Sequence, residues 1–134
     1  MIPQSTRRFI VGVDYALVAS TGADGRPHLS AGYGLQVIDD HHVEFDAWFC
    51  RRTLENVAGN PNVAVMVLEP SGRQGFQLTG QVEKERDVAL LNGYAPQKEK
   101  PGTPQVESAL LVRVETVTRF SRGAHTDRLL GDDE

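Results

Sequence analysis

The sequence predicts a mainly β protein, a six-stranded antiparallel split β-barrel with two or three short helices. Three observations lead there. Short apolar or alternating runs recur along the chain, separated by turns rich in Gly, Pro and Asp, as in antiparallel barrels. No strand–helix–strand series supports a doubly wound sheet, and the early glycines form neither a GxGxxG motif nor a P-loop. The 134 residues suit a single domain with one core; that core is expected over about 10–120, with a polar, acidic tail over 121–134.

Residues 1–6 read as a loose arm. Thr6 to Asp14 can form a short helix, with Phe9, Ile10 and Val13 on one face and Arg7 and Arg8 exposed. Tyr15 to Thr21 is a short apolar run and reads as a buried strand. The following Asp24-Gly25 supplies the positive φ of a tight hairpin turn. His28 to Ile38 is the second strand, with Leu29, Ala31, Tyr33, Leu35 and Val37 on one face and Ser30, Gly32, Gly34 and Gln36 on the other. Two glycines on one strand face signal a close approach to the backbone or a bulge. Val43 to Cys50 is the third strand. Strict alternation puts Val43, Phe45, Ala47 and Phe49 on one face and Glu44, Asp46, Trp48 and Cys50 on the other.

Leu54 to Ala58 reads as a short helix stopped by Gly59-Asn60-Pro61. Val63 to Leu68, a fourth strand, is apolar on both faces, so something covers its second face; a partner subunit would do so. Phe76 to Glu83 is a fifth strand with a bulge at Gly80. Glu85 to Tyr94 can be helical, Ala95 to Gln105 is a Pro-rich loop, and Glu107 to Phe120 is the last long strand.

Composition removes several functional classes. The net charge of −4 argues against a nucleic-acid surface, which needs a broad basic patch. One Cys excludes an internal disulfide. The absence of a signal peptide or bilayer-length apolar run points to a cytoplasmic protein with no membrane partner.

The chemistry concentrates at residues 43–65. Arg51, Arg52 and Thr53 sit where a strand feeds a helix N-terminus, where backbone N–H groups and the helix dipole favour an anion such as phosphate. Two cations there are opposed by the dipole, so their placement wants an explanation: an anionic ligand, or simply a solvated pair at a helix start. Thr53 suits an N-cap by itself. Trp48 reads either as a stacking surface or as core. Cys50 beside two arginines can have a lowered pKa, although a lone Cys is more often a small hydrophobe. Asp39-Asp40-His41-His42 reads as a solvated turn, because adjacent strand residues point apart and His41 and His42 cannot readily share an ion. His28 reads as structural, and the run from Glu83 to Asp87 as a solvated junction. No metal site is expected.

ALVAST-GADGRPHLSAGYG, AWFCRRTLENVAGNPNVAVMV, GFQLTGQVE and the final LLVRVETV together resemble the FMN-binding split barrels related to pyridoxamine 5′-phosphate oxidase, in particular its short members. The most specific piece is Arg52-Thr53-Leu54-Glu55-Asn56 followed by Asn60-Pro61-Asn62-Val63-Ala64-Val65. The resemblance implies a homodimer binding FMN at the subunit interface. By position, Arg52 and Thr53 would hold the phosphate, with Arg51 as a second cation and Asn56 supporting that loop. Asp46, Ala47, Trp48 and Phe49 would run beside the isoalloxazine ring, and Ser30, Ala31 and Gly32 would line the ring or ribityl chain. The chain lacks the C-terminal Arg/His segment of true pyridoxamine phosphate oxidases, which argues against that substrate. The expected function is an FMN-dependent oxidoreductase exchanging hydride or electrons with a reduced nicotinamide or redox partner. The alternatives are a non-catalytic electron carrier or flavin store, a deazaflavin-binding relative, and a ligand-free interaction module.

Overall fold

A computed structural model describes residues 1–48, 50–87, 108–124 and 126–134. In chain order the elements are α1 (Gln4–Val11), β1 (Tyr15–Thr21), β2 (Pro27–Val37), β3 (His42–Trp48), α2 (Arg51–Gly59), β4 (Asn62–Leu68), β5 (Gln74–Asp87) and β6 (Ser108–Ser121). The strands form a closed antiparallel barrel in the order β1-β2-β3-β6-β5-β4. This is the expected mainly β architecture, with two helices among the described residues.

The Asp24-Gly25 turn works as its sequence requires. Gly25 has φ +83, and the strands it joins pair in continuous register from Thr21↔Pro27 to Tyr15↔Tyr33. Alternation on β1 and β4 sends Ala16, Val18, Val63, Val65 and Val67 into the barrel. There they meet Val43, Phe45, Leu78, Leu110 and Val112, all buried. Register shifts at Thr79/Gly80 place the expected irregularity on β5. The seam between β1 and β4 is narrow, spanning Leu17↔Met66 to Ala19↔Ala64.

Several local expectations are corrected. The N-terminal arm is not loose: Ile2 is buried, and its N–H donates to the Asp40 carbonyl. Helix α1 starts earlier than periodicity suggested, behind Pro3, and stops at Gly12. Arg7 is engaged rather than free, donating from Nε to the Ile2 carbonyl at 3.0 Å and pairing with Asp40 Oδ1 at 2.5 Å. Glu83 to Asp87 lie within β5, not at a helix start. The rest of the expected third helix and the Pro-rich loop fall outside the described residues. The tail packs back on the barrel: Leu129 bridges Thr118, Leu130 N–H donates to Val117 O, and Leu130 packs on the core.

The correction that matters most for the site concerns β2 and β3. Gly34 has φ +73, a left-handed conformation that few side chains tolerate. Around it, alternation slips: Gly32 and Leu35 both face inward, as do Phe45 and Trp48 on β3. Residues 33–34 and 46–47 therefore both face outward. The two strands keep mutual register, Tyr33↔Ala47 and Leu35↔Phe45, while β3 shifts against β6 between Phe45 and Trp48. Trp48 is thus a core residue at 1% exposure, edge-on to Phe45 with ring centroids 4.9 Å apart. Its Nε1–H donates to Cys50 O at 3.1 Å.

Candidate functional site

Two adjoining regions along β2 gather most of the residues singled out in the sequence. The first is polar and lies at the start of α2. That helix begins at Arg51, with Cys50 at the N-cap position. Thr53 is therefore not the cap; it occupies the first turn and is buried, its hydroxyl 2.8 Å from Ser30 Oγ on β2. Arg51 and Arg52, also in the first turn, are exposed. That turn holds no acidic residue, and no ion pair engages either guanidinium among the described residues. The dipole opposes two unpaired cations at a helix start, so an anion here would relieve the repulsion.

Asn56, one turn further on, ties the helix to the barrel through Nδ2–H donation to Ser20 Oγ at 3.1 Å. Ser20 is a buried polar residue on β1 whose part was not anticipated. Its only cue is being a serine at an inward position of an apolar strand. His28, expected to be merely structural, also joins the cluster, with Nε2 3.4 Å from Cys50 Sγ. Burial resists ionisation of this thiol. Hydrogen bonding from the Thr53 side chain and from His28, with the Thr53 backbone, outweighs it and draws the pKa down from 9.0 to about 7.

The second region is a cleft of about 360 Å³ lined by Ala31, Gly32, Tyr33, Gly34, Asp46 and Ala47. It is the product of the paired slip in β2 and β3, which turns consecutive residues outward. Four of its residues, Ala31, Gly32, Asp46 and Ala47, were expected beside a ring system. Asp46 Oδ2 accepts from Gln36 Nε2 at 2.7 Å. Trp48 does not line the cleft, because it points into the core. Phe49 lies outside the described residues.

On the same outer face, Tyr15, Leu29 and the cleft residue Tyr33 are 51%, 64% and 68% exposed. Cross-strand pairing sets Tyr15 opposite Tyr33, Leu17 opposite Ala31, Ala19 opposite Leu29 and Leu17 opposite Met66. The outer face of β2-β1-β4 is therefore a continuous apolar surface. Among the described residues no group of three or more His, Cys, Asp or Glu could hold a metal, and no helix is long and apolar enough to cross a membrane.

Comparison with known proteins places this geometry among relatives. A family model described as pyridoxamine 5′-phosphate oxidase matches residues 2–119. No curated protein matches the chain. Among solved structures, HupZ from Group A Streptococcus superposes with a TM-score of 0.70 at 17% identity, over 94% of this chain and 99% of that one. An F420 reductase superposes with a TM-score of 0.64 at 21% identity, covering 87% and 98%. An FMN-binding protein from Syntrophomonas wolfei gives 0.65 at 12% identity, covering 89% and 86%. At these identities the likeness is one of fold.

Proposed function

The chain belongs to the pyridoxamine 5′-phosphate oxidase family, and on that premise we propose that it is an FMN-binding oxidoreductase acting as a homodimer. The observation that carries the cofactor assignment is the pair of exposed guanidiniums on the first turn of α2, without an ion-pair partner among the described residues, beside two hydroxyls and next to a cleft on the same β2 strand.

The residues fit the cofactor. The Ser30 and Thr53 hydroxyls lie 2.8 Å apart at this end, and while Cys50 is a neutral thiol that does not draw on the Thr53 proton, one of their two protons is left for an anion. Thr53 is fully buried and Ser30 only partly so, so Ser30 is the hydroxyl nearer the surface. Arg51 and Arg52 supply charge-assisted donors of the kind that bind phosphate. Asn56 fixes the helix to β1 and so holds this end rigid. Ala31 and Ala47 present little side-chain bulk and Gly32 turns only backbone to the cleft, so a flat ring system can lie against β2 and β3. Asp46 keeps lone pairs that can accept from a ring N–H, while its bond to Gln36 holds it in place. The flavin, when bound, supplies hydride and electron transfer; the protein positions it and tunes its surroundings. The donor is a reduced nicotinamide or a redox partner.

A second copy of the chain would cover the outer face of β2-β1-β4, removing Tyr15, Leu29 and Tyr33 from water. The F420 reductase neighbour supports one alternative, a deazaflavin in the same cleft. Titrating FMN and a deazaflavin separately, by absorbance and fluorescence, tests both. Arg52→Ala should weaken FMN binding by about 1.5–3 kcal/mol, the scale of a hydrogen bond to a charged group, or roughly ten- to 150-fold. Unchanged affinity in that variant refutes the phosphate assignment.

A further inference from the structure

At the opposite end of β2 from Arg51 and Arg52 lies a cavity of about 430 Å³, lined by Arg7, Ile10 and Val11 of α1 and by Leu35, Gln36 and Val37 of β2. It begins where the cleft ends. Gly34 and Asp46 line the cleft, Leu35 and Gln36 line the cavity, and the Gln36–Asp46 hydrogen bond joins the two. The volume falls within the range of small-molecule pockets.

We propose that this cavity binds the second reactant of the flavin site, and that this reactant is an uncharged, apolar molecule. The inference rests on the flavin reading for its role, and on the cavity itself for its chemistry. Ile10 is buried and forms the floor; Leu35 and Val37 are half-buried; Val11 is 85% exposed at the rim. The two polar side chains here are engaged within the protein. Arg7 is neutralised by Asp40 and also donates to the Ile2 carbonyl. The Gln36 amide donates to Asp46. An anionic reactant would find no free cation here, whereas the α2 end offers two. The Arg7–Asp40 pair also fixes α1 to the turn between β2 and β3, so the cavity wall is held in place. From Ser30 to Val37 the strand runs about 23 Å, long enough to seat an anion at one end, a ring system over the cleft and an apolar molecule at the other.

The test uses Nile red, an uncharged apolar dye, with the full-length protein. Native protein should enhance its fluorescence saturably, with and without added FMN. Val11→Asp, which brings a charge to the rim, and Val11→Trp, which adds bulk there, should each weaken dye binding at least tenfold. Val11 is exposed, so both variants should keep the native circular dichroism spectrum, and FMN affinity should not change. Dye binding as tight as native in both variants overturns the proposal, as does equally tight binding of an anionic analogue of the dye. Failure of FMN to bind, with the dye still responding to Val11, removes the flavin reading and leaves the apolar site standing.

Discussion

Gly32→Ala should destabilise the barrel by about 2 kcal/mol. A Cβ at Gly32 would sit within 2.6 Å of Trp48 Cε3, closer still to Cζ3, and 3.1 Å from Phe45 Cδ1. The indole cannot easily retreat: it is 1% exposed, edge-on to Phe45 and held by its bond to the Cys50 carbonyl. Adding a methylene-sized group to a packed core costs about 1–3 kcal/mol. A clash with an immobile ring belongs at the upper end of that range, and removing a glycine from a strand gives back about 0.5–1 kcal/mol. At about 2.1 cal/mol/K per residue the unfolding entropy is about 0.28 kcal/mol/K, so Tm should fall by about 7 °C. Urea denaturation and thermal scans measure this, and near-UV circular dichroism reports the indole. Trp48→Phe removes the six-membered ring that meets the new methyl, so the double variant should be coupled favourably by at least about 1 kcal/mol in a double-mutant cycle. A Gly32→Ala protein within about 0.5 kcal/mol of native, with an unchanged aromatic spectrum, would refute the claim that this glycine exists to admit the tryptophan.

Alkylation of Cys50 by iodoacetamide should titrate with a midpoint near pH 7, and His28→Ala should move that midpoint upward; a midpoint at an ordinary thiol value rules out the His28–Thr53 cluster as its cause. The same depression means that ionised Cys50 adds stability above its unfolded pKa, and this is lost as pH falls through about 7. His42 lies between Asp39, at 2.8 Å, and Glu83, at 2.5 Å, and its bonds first to Asp39 and then to Glu83 raise its pKa. Its contribution should be complete below its unfolded value of 6.5 and vanish as pH rises through the higher folded value. The stability difference between native and His42→Gln protein, followed by urea denaturation from pH 5 to 9, should therefore shrink with rising pH; a constant difference would refute it. If the proposed dimer forms through the exposed face of β2, native protein should have the mass of a dimer in light scattering and Leu29→Asp that of a monomer with its circular dichroism retained; the same mass for both proteins would refute that dimer face.

The barrel was legible because its signals are local. Tyr15–Thr21 was read with its observed bounds, since an apolar run ends there at a hairpin whose Asp-Gly pair leaves the chain little choice. The two glycines of β2 were read as a close approach or a bulge: the close approach occurs at Gly32, which admits Trp48, whereas Gly34 takes a left-handed kink with the pairing to β3 kept in register rather than bulged. What could not be read was how far that kink propagates. Alternation assigns Trp48 to the face opposite Phe45, and nothing within β3 announces that both strands slip together. Thr53 misled for a related reason: threonine favours a cap, but here it lies inside the first turn with its hydroxyl bonded to Ser30 on another strand, a partner that no local window contains. The pairs Asn56–Ser20 and Cys50–His28 join residues far apart in the chain, so no window of sequence contains them.

Closure of the barrel decides how copies of this chain can meet. Among the described residues each strand has a hydrogen-bonded neighbour on both sides over at least part of its length, so no strand offers its whole edge to another backbone. Assembly must instead use side chains projecting from the sheet, and such contacts depend on shape and apolar area rather than on a repeating ladder. A face-to-face contact is finite: once two copies cover each other, no equivalent surface remains to recruit a third. The narrow seam between β1 and β4, bounded by Leu17 and Ala19 on one side and Ala64 and Met66 on the other, is where that protection is thinnest. Its amides should be the first of the barrel to exchange with deuterium, and substitutions that weaken it would turn a self-limiting surface into an open-ended one.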